Sequence, residues 1–239
     1  MRMELGVLAW GDGGWGDELA RGAMVTIAIA SAAYLVGSVL GVLLAAMKLS
    51  GSVALRWLAT AYTTTLRGMP EMLVIYIVFF GGGALATWIA ANILGIRGHV
   101  DLPSFAVGVV CIALSVAAYA CEVIRGAVLA VPRGQIEAAQ AVGMTSLQRN
   151  RLVVAPQAFR LALPGMTNVW QFTVKDTALV SIIGVTEVMR SASIGSNATK
   201  QPFTFYLAAL VIFIVIAYLS QRLFTRLQKS ADRGVRWGA

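Results

Sequence analysis

Lys175 and Asp176 sit side by side in the middle of an otherwise apolar run, FTVKDTALVSIIGV. A charged side chain at bilayer depth costs about 2.5–3.5 kcal/mol on insertion scales, so such residues face a cavity or a partner. Asn168, Gln171 and Lys175 recur at i, i+3 and i+7 and share one helical face. Asp176 stands about eighty degrees from Asn168 around the same helix and borders that face. Thr173 and Thr177 add hydroxyls nearby. Amide, ammonium and carboxylate groups arranged this way can hold the amino, carboxylate and side-chain groups of a small polar solute without covalent chemistry. The same residues serve equally as structural partners for a helix break or a neighbouring span, and both roles stay open at this point.

The other ionisable residues of interest read more plainly. Glu71 follows Pro70 at a helix start, where the N-terminal dipole favours a negative charge whatever else the residue does. Glu122 and Arg125, at i and i+3, read as a local ion pair. Cys111 and Cys121 lie in one apolar segment nearly three helical turns apart, too far for a disulfide or a shared metal, and read as small buried apolar residues. His99 is the single histidine and reads as a solvated loop residue.

These side chains need apolar elements to carry them, and the composition supplies them. Hydrophobic residues make up 58% of the 239 residues and charged residues 13%, and the mean hydropathy is +0.76. Runs of about 20 apolar residues, the length that crosses a bilayer as helix, occur five times: at about 22–47, 71–94, 104–130, 164–189 and 203–223. The expected fold is an all-α integral membrane protein with about five transmembrane helices, one domain over 1–239 with its membrane core at about 22–223. The first span carries GSVLG (Gly37, Gly41), a small-xxx-small pattern that suits close packing either within the chain or between two copies. Gly81, Gly82 and Gly83 predict a bend or break in the second. Glu4, Asp12, Asp17 and Glu18 near the start argue against a cleaved leader.

The net charge of +8 does not indicate nucleic-acid binding, because the cations fill the gaps between apolar segments rather than one face. They are biased in the way membrane insertion demands. Lys48, Arg56 and Arg67 follow the first span; Arg125, Arg133, Arg149, Arg151 and Arg160 follow the third; Arg222, Arg226, Lys229, Arg233 and Arg236 follow the fifth. The opposite side holds only Arg2, Arg21, Arg97, Arg190 and Lys200. The bias predicts an outer N-terminus and a cytoplasmic C-terminus.

The longest polar segment, at about 132–163, then faces the cytoplasm. In GQIEAAQAVGMTSLQRNRLVVAP, residues 135–142 favour helix, with Ala138, Ala139 and Val142 forming a shallow apolar face. Gly143 suits a left-handed stop, and TSLQ at 145–148 is a capping-box pattern that starts a second helix, expected to end before Pro156. A helix–turn–helix of this kind either enters a groove on another protein or merely connects two spans.

Glu137, Ala138, Ala139 and Gly143, followed at the right spacing by VVAP at 153–156, resemble the EAA signature of the permease subunits of bacterial ABC importers. Val153 and Ala155 depart from the signature's Ile and Leu, both conservatively. RGMPEMLVIYIVFFGG, VIRGAVLAVPRGQIEAAQAVGM, LPGMTNVWQ and KDTALVSIIGV resemble the polar amino-acid permeases, nearest the histidine/octopine/nopaline branch, from about residue 20 to 225. The resemblance implies the type I importer permease fold, with Glu137, Ala138, Ala139 and Gly143 in a coupling helix that docks on a separate cytoplasmic ATPase dimer. It implies a second permease subunit, identical or sister, a periplasmic amino-acid-binding protein, and surrounding lipid. No cofactor is expected in this chain, and it carries no G-x-x-x-x-G-K-[ST] phosphate loop, so ATP and Mg belong to the partner. The substrate expected is a polar, chiefly basic, amino acid or an opine, contacted by Asn168, Gln171, Lys175 and Asp176. An acid in this region of related arginine permeases points to Asp176 for a cationic group, and the histidine-type branch tends to carry an acid at the position of Glu71. The rival readings are an ion-driven secondary transporter, which would need internal repeats, and a non-transporting anchor or sensor.

Overall fold

The computed structural model describes residues 5–11, 13–95, 98 and 100–231; His99, Arg2, Glu4, Asp12, Arg97, Arg233 and Arg236 lie outside them. After a short turn at Leu5–Leu8 the described chain is helical: α1 (Gly16–Leu49), α2 (Val53–Gly68), α3 (Glu71–Asn92) and α4 (Ser104–Leu129), α5 (Arg133–Ala141), α6 (Ser146–Ile183), α7 (Val188–Thr199) and α8 (Pro202–Ala231). Four of these, α1, α3, α4 and α8, are long and apolar enough to cross a bilayer; α6 and α7 form a bent pair, 51° apart, that makes the fifth crossing when taken together.

The centre is α1 packed along α4. Small residues allow it. A Cβ on Gly37 would lie 2.6 Å from Val116 of α4, and one on Gly41 would lie 2.7 Å from Ala120. The GSVLG pattern therefore lets two spans of the same chain touch backbone to backbone, where dispersion contact replaces the missing hydrophobic drive between helices in lipid. Around this pair Ile29, Ala33, Cys111, Val116, Val169, Val180 and Ile183 form the main buried cluster. Both cysteines are free and buried, Cys121 fully so.

The glycine triplet does not break α3. The helix widens into one π-type turn at Ile77–Gly81 and continues, because a π turn absorbs an extra residue while keeping backbone groups bonded. Pro156 does not end a helix either. A second π-type turn at Asn150–Val154 shifts the register so that Pro156 falls in the first turn of the segment Ala155–Asp176, where a missing N–H costs nothing. The chain runs on through Pro164 to Asp176, tightens to a 3-10 segment at Thr177–Ile183, and breaks at Gly184, which adopts φ +90. The predicted span at 164–189 therefore ends short of its expected limit. Glu187, fully buried, restarts the chain as α7: its carboxylate accepts from Met189 N at 2.8 Å and Arg190 N at 2.9 Å.

The segment α2 had no place among the expected elements. Ser52 caps it, accepting from Leu55 N at 3.5 Å, and Ala59 and Thr63, one turn apart, are its buried residues. It packs on α1 and α4 and brings Arg67, counted above among the loop cations, alongside the middle of α4.

Candidate functional site

Two regions carry the chemistry. The first lies where α3, α4 and α6 meet. Asp176 closes the regular part of α6 and Glu71 opens α3; both line one small cavity, together with Cys111 and Ser115 of α4. Beside this cavity stands an aromatic pair. Tyr119 of α4 stacks on Phe172 of α6 with centroids 6.5 Å apart and planes 27° apart. The Arg67 guanidinium lies 5.6 Å from the Tyr119 centroid, and the Lys175 ammonium lies 5.6 Å from the Phe172 centroid. Two cations, two acids and two rings are thus assembled from four helices.

The expected single face of Asn168, Gln171 and Lys175 is divided. Asn168, Phe172 and Lys175 are exposed along α6. Gln171 instead turns to α8: its Nε2 donates to Ala217 O and to Gln221 Oε1, both at 3.3 Å. Gln228 Nε2 repeats the link two turns on, donating to Thr167 Oγ1 at 2.9 Å. Gln171 and Lys175 also border a cavity of about 460 Å³ between α6 and α8, lined otherwise by Val174, Tyr206, Leu210 and Phe213. Asp176 points away from this cavity, toward Glu71. Thr173 and Thr177 face inward and donate to Val169 O and Val174 O in their own helix, a common fate of hydroxyls in apolar helices.

The sequence reading left out Arg67, Tyr119 and Phe172. The aromatic residues were hidden among other apolar positions, and Arg67 was hidden by its place before Pro70, which read as loop. A signal existed: Ala59, Thr63 and Arg67 recur every four residues, the spacing of one helix face.

The second region is the polar segment between α4 and α6. Gly143 adopts φ +77, and Gly143 N and Met144 N donate to Gln140 O and Ala139 O at 2.9 and 3.1 Å, the Schellman arrangement that satisfies the last carbonyls of α5. A Cβ at Gly143 would meet nothing within 4 Å, so the backbone conformation, not crowding within the chain, asks for glycine. Thr145 and Gln148 form the reciprocal capping box, with Thr145 N to Gln148 Oε1 at 2.9 Å and Gln148 N to Thr145 Oγ1 at 3.3 Å. The apolar face differs from the expected one: Ala139 is buried in the chain, while Glu137, Ala138, Val142 and Gly143 are exposed, because Ala138 and Val142 share a helix face that Ala139 leaves by a 100° step. Leu147 lies exposed beyond the turn.

At the neighbouring end of α4, Glu122 makes more than the expected pair. Its Oε2 accepts from Arg125 Nε and Nη2 at 3.1 and 3.0 Å, and its Oε1 accepts from Lys48 of α1. Lys48 also donates to Thr63 of α2 at 2.6 Å, so one ionic cluster ties three helices.

With these sites placed, comparison with known proteins gives a consistent outcome. Residues 37–232 match the family described as binding-protein-dependent transport system inner membrane component. The nopaline transport system permease of Agrobacterium fabrum is 55% identical over 98% of this chain and 99% of its own length. The arginine ABC transporter permease of Escherichia coli is 36% identical over 90% of this chain and 95% of its own length. Among solved structures, the crystal structure of an amino acid ABC transporter with histidines covers 90% of this chain and 95% of that one, with a TM-score of 0.78 and 27% identity. The chain belongs to the family of binding-protein-dependent transport system inner membrane components: it is a multi-pass inner-membrane permease subunit of an ABC importer, without ATPase activity of its own, that works with a solute-binding protein and a separate ATPase.

Proposed function

We propose that this permease passes basic amino acids or opines, and that the Glu71–Asp176 carboxyl pair receives the solute's cationic group. The observation that carries the reading is that pair, two acids from different helices that line one small cavity where α3, α4 and α6 meet, since acids placed in an apolar, membrane-spanning chain face a cavity or a charged partner. Lys175 and Asn168, exposed along α6, supply the solute's carboxylate and amide contacts, and Gln171 fixes α6 to α8 beside them. Relatives named for nopaline, octopine, arginine and histidine/lysine/arginine/ornithine transport support the substrate class.

In the same proposal Glu137, Ala138 and Gly143 meet a cleft of the ATPase dimer, with Ala139 seating α5 on its own chain. The charge bias supports an N-terminus outside and a C-terminus in the cytoplasm. One copy leaves the α6 face of Asn168, Phe172 and Lys175 uncovered, so a second permease, sister or identical, closes the pathway. The whole of 1–239 acts as one permease domain, with its core at about 22–223 and its coupling loop at about 132–163. The family membership sets aside the ion-driven transporter and the anchor.

Uptake competition tests the substrate class. Uptake of labelled opine by cells expressing the importer should be inhibited by arginine, ornithine, octopine and nopaline and not by glutamate or leucine. Inhibition by glutamate or leucine alone would remove the reading.

A further inference from the structure

Resting on the reading of Asp176 as a solute contact, we propose that Arg190 is a positioning residue for that site: its side chain straps the α6–α7 bend closed on Ser181 and so fixes where Asp176 stands. The segment that needs holding is Thr177–Ile183, where α6 tightens to 3-10 form. Asp176, just before it, and Leu179, within it, line the small cavity with Glu71. A 3-10 turn has poorer hydrogen-bond geometry than an α-helical one and seldom runs beyond three or four residues; this one runs for 7 and calls for outside support. At its far end Gly184 leaves helical geometry at φ +90, so the last carbonyls have no further turn to bond them. Ser181 O is one of these. It accepts from Gly184 N at 3.2 Å and from Arg190 Nη1 at 3.0 Å.

Arg190 is free to make that reach. A basic residue in the first turn of a helix gains nothing from the helix dipole, and among the described residues Arg190 makes no ion pair. The nearby acid, Glu187, is occupied, because its two carboxylate oxygens accept the backbone N–H groups of Met189 and Arg190. The guanidinium turns back over the bend instead and makes a charge-assisted bond to the end of α6. The base it reaches from is fixed. Val188 N donates to Thr26 Oγ1 of α1 at 3.4 Å. A Cβ on Gly22 of α1 would lie 2.9 Å from Ser191 Oγ, and one on Gly195 would run into the Phe205 ring of α8. With α7 seated on α1 and α8 in this way, Arg190 carries the seat across to the 3-10 segment. On the other side of Asp176, Gln171 ties α6 to α8. Asp176 therefore stands between two anchors, and Arg190 is the one that crosses the break.

The test is a double-mutant cycle on the binding of labelled arginine to the purified complex of permease and ATPase subunits, without the solute-binding protein, which would impose its own selection. Arg190→Met keeps the apolar stem and removes the donors. The expected result is that it raises the arginine Kd at least fivefold in the parent and less than twofold in an Asp176→Asn background, since a residue that acts through Asp176 has nothing left to position there. Arg190→Lys, which keeps a charged donor, should return the Kd to within twofold of the parent. Should Arg190→Met fail to assemble by gel filtration, Arg190→Gln, with a shorter and uncharged donor, carries the same comparison. An equal rise in both backgrounds would mean that Arg190 serves stability alone, and overturns the strap. A rise for Asp176→Asn with none for Arg190→Met also overturns it and leaves the solute reading of Asp176 standing. No rise for Asp176→Asn removes that reading and the strap with it.

Discussion

Lys48 of α1 and Glu122 of α4 meet as an ion pair, Lys48 with its side chain 10% exposed and Glu122 with 21%. The same ammonium holds Thr63 of α2, and the other carboxylate oxygen holds Arg125. Three helices that bring Arg67, Tyr119 and the buried core together are thereby fixed at one end. Exposed pairs contribute about 0–1 kcal/mol and breaking a buried one costs about 3–5; this partly covered cluster falls between. Glu122→Gln, which leaves two cations unneutralised, should cost about 2 kcal/mol and lower the Tm of the purified complex. Arg125→Gln, removing the more exposed partner, should cost less than about 1 kcal/mol. A larger loss from Arg125→Gln than from Glu122→Gln would mean the cluster is not organised around the carboxylate.

Gly143 is required for its backbone. Non-glycine residues pay about 1–2 kcal/mol in the left-handed conformation, with asparagine the best tolerated. Gly143→Asn should keep solute-stimulated ATP hydrolysis near the parent level, and Gly143→Val should lose at least half of it while solute binding to the permease is unchanged. Equal activity in both variants would show that the turn does not transmit the ATPase cycle.

Gly37 and Gly41 set the approach of α1 to α4. Gly37→Val drives a branched side chain into Val116, overpacking that costs about 1–3 kcal/mol. Gly126, also in α4, has open space around its missing Cβ, so Gly126→Ala should be neutral or stabilise by up to about 1 kcal/mol. Thermal unfolding of the two variants beside the parent checks both; a neutral Gly37→Val would contradict the close contact.

The spans and the capped hairpin were legible because each depends on local signals: apolar length, a glycine at a left-handed stop, Thr145 and Gln148 at capping distance. Departures arose where tertiary packing overrode local preference. Pro156 reads as a helix end, yet the π-type turn at Asn150–Val154 carries the helix past it. The glycines after Phe80 read as a break, yet the same device keeps α3 continuous. The site was legible in part. Lys175 and Asp176 declared themselves by charge in an apolar run. Tyr119 and Phe172 are ordinary apolar-segment residues until α4 and α6 place them face to face, and Arg67 is an ordinary loop cation until α2 sets it beside the Tyr119 ring. Adjacency in sequence also misled: Lys175 and Asp176 are neighbours, but successive residues on a helix diverge by about 100°, and they line different cavities.

The central claim is that the Glu71–Asp176 pair receives the cationic group of the solute. The most direct measurement is ATP-driven uptake of labelled arginine by the complete importer in proteoliposomes, comparing the parent with Asp176→Asn and with Glu71→Gln. The account predicts at least a tenfold rise in the solute concentration for half-maximal uptake for Asp176→Asn and a smaller rise for Glu71→Gln, with basal ATP hydrolysis retained in both. Unchanged arginine uptake in both variants would contradict it.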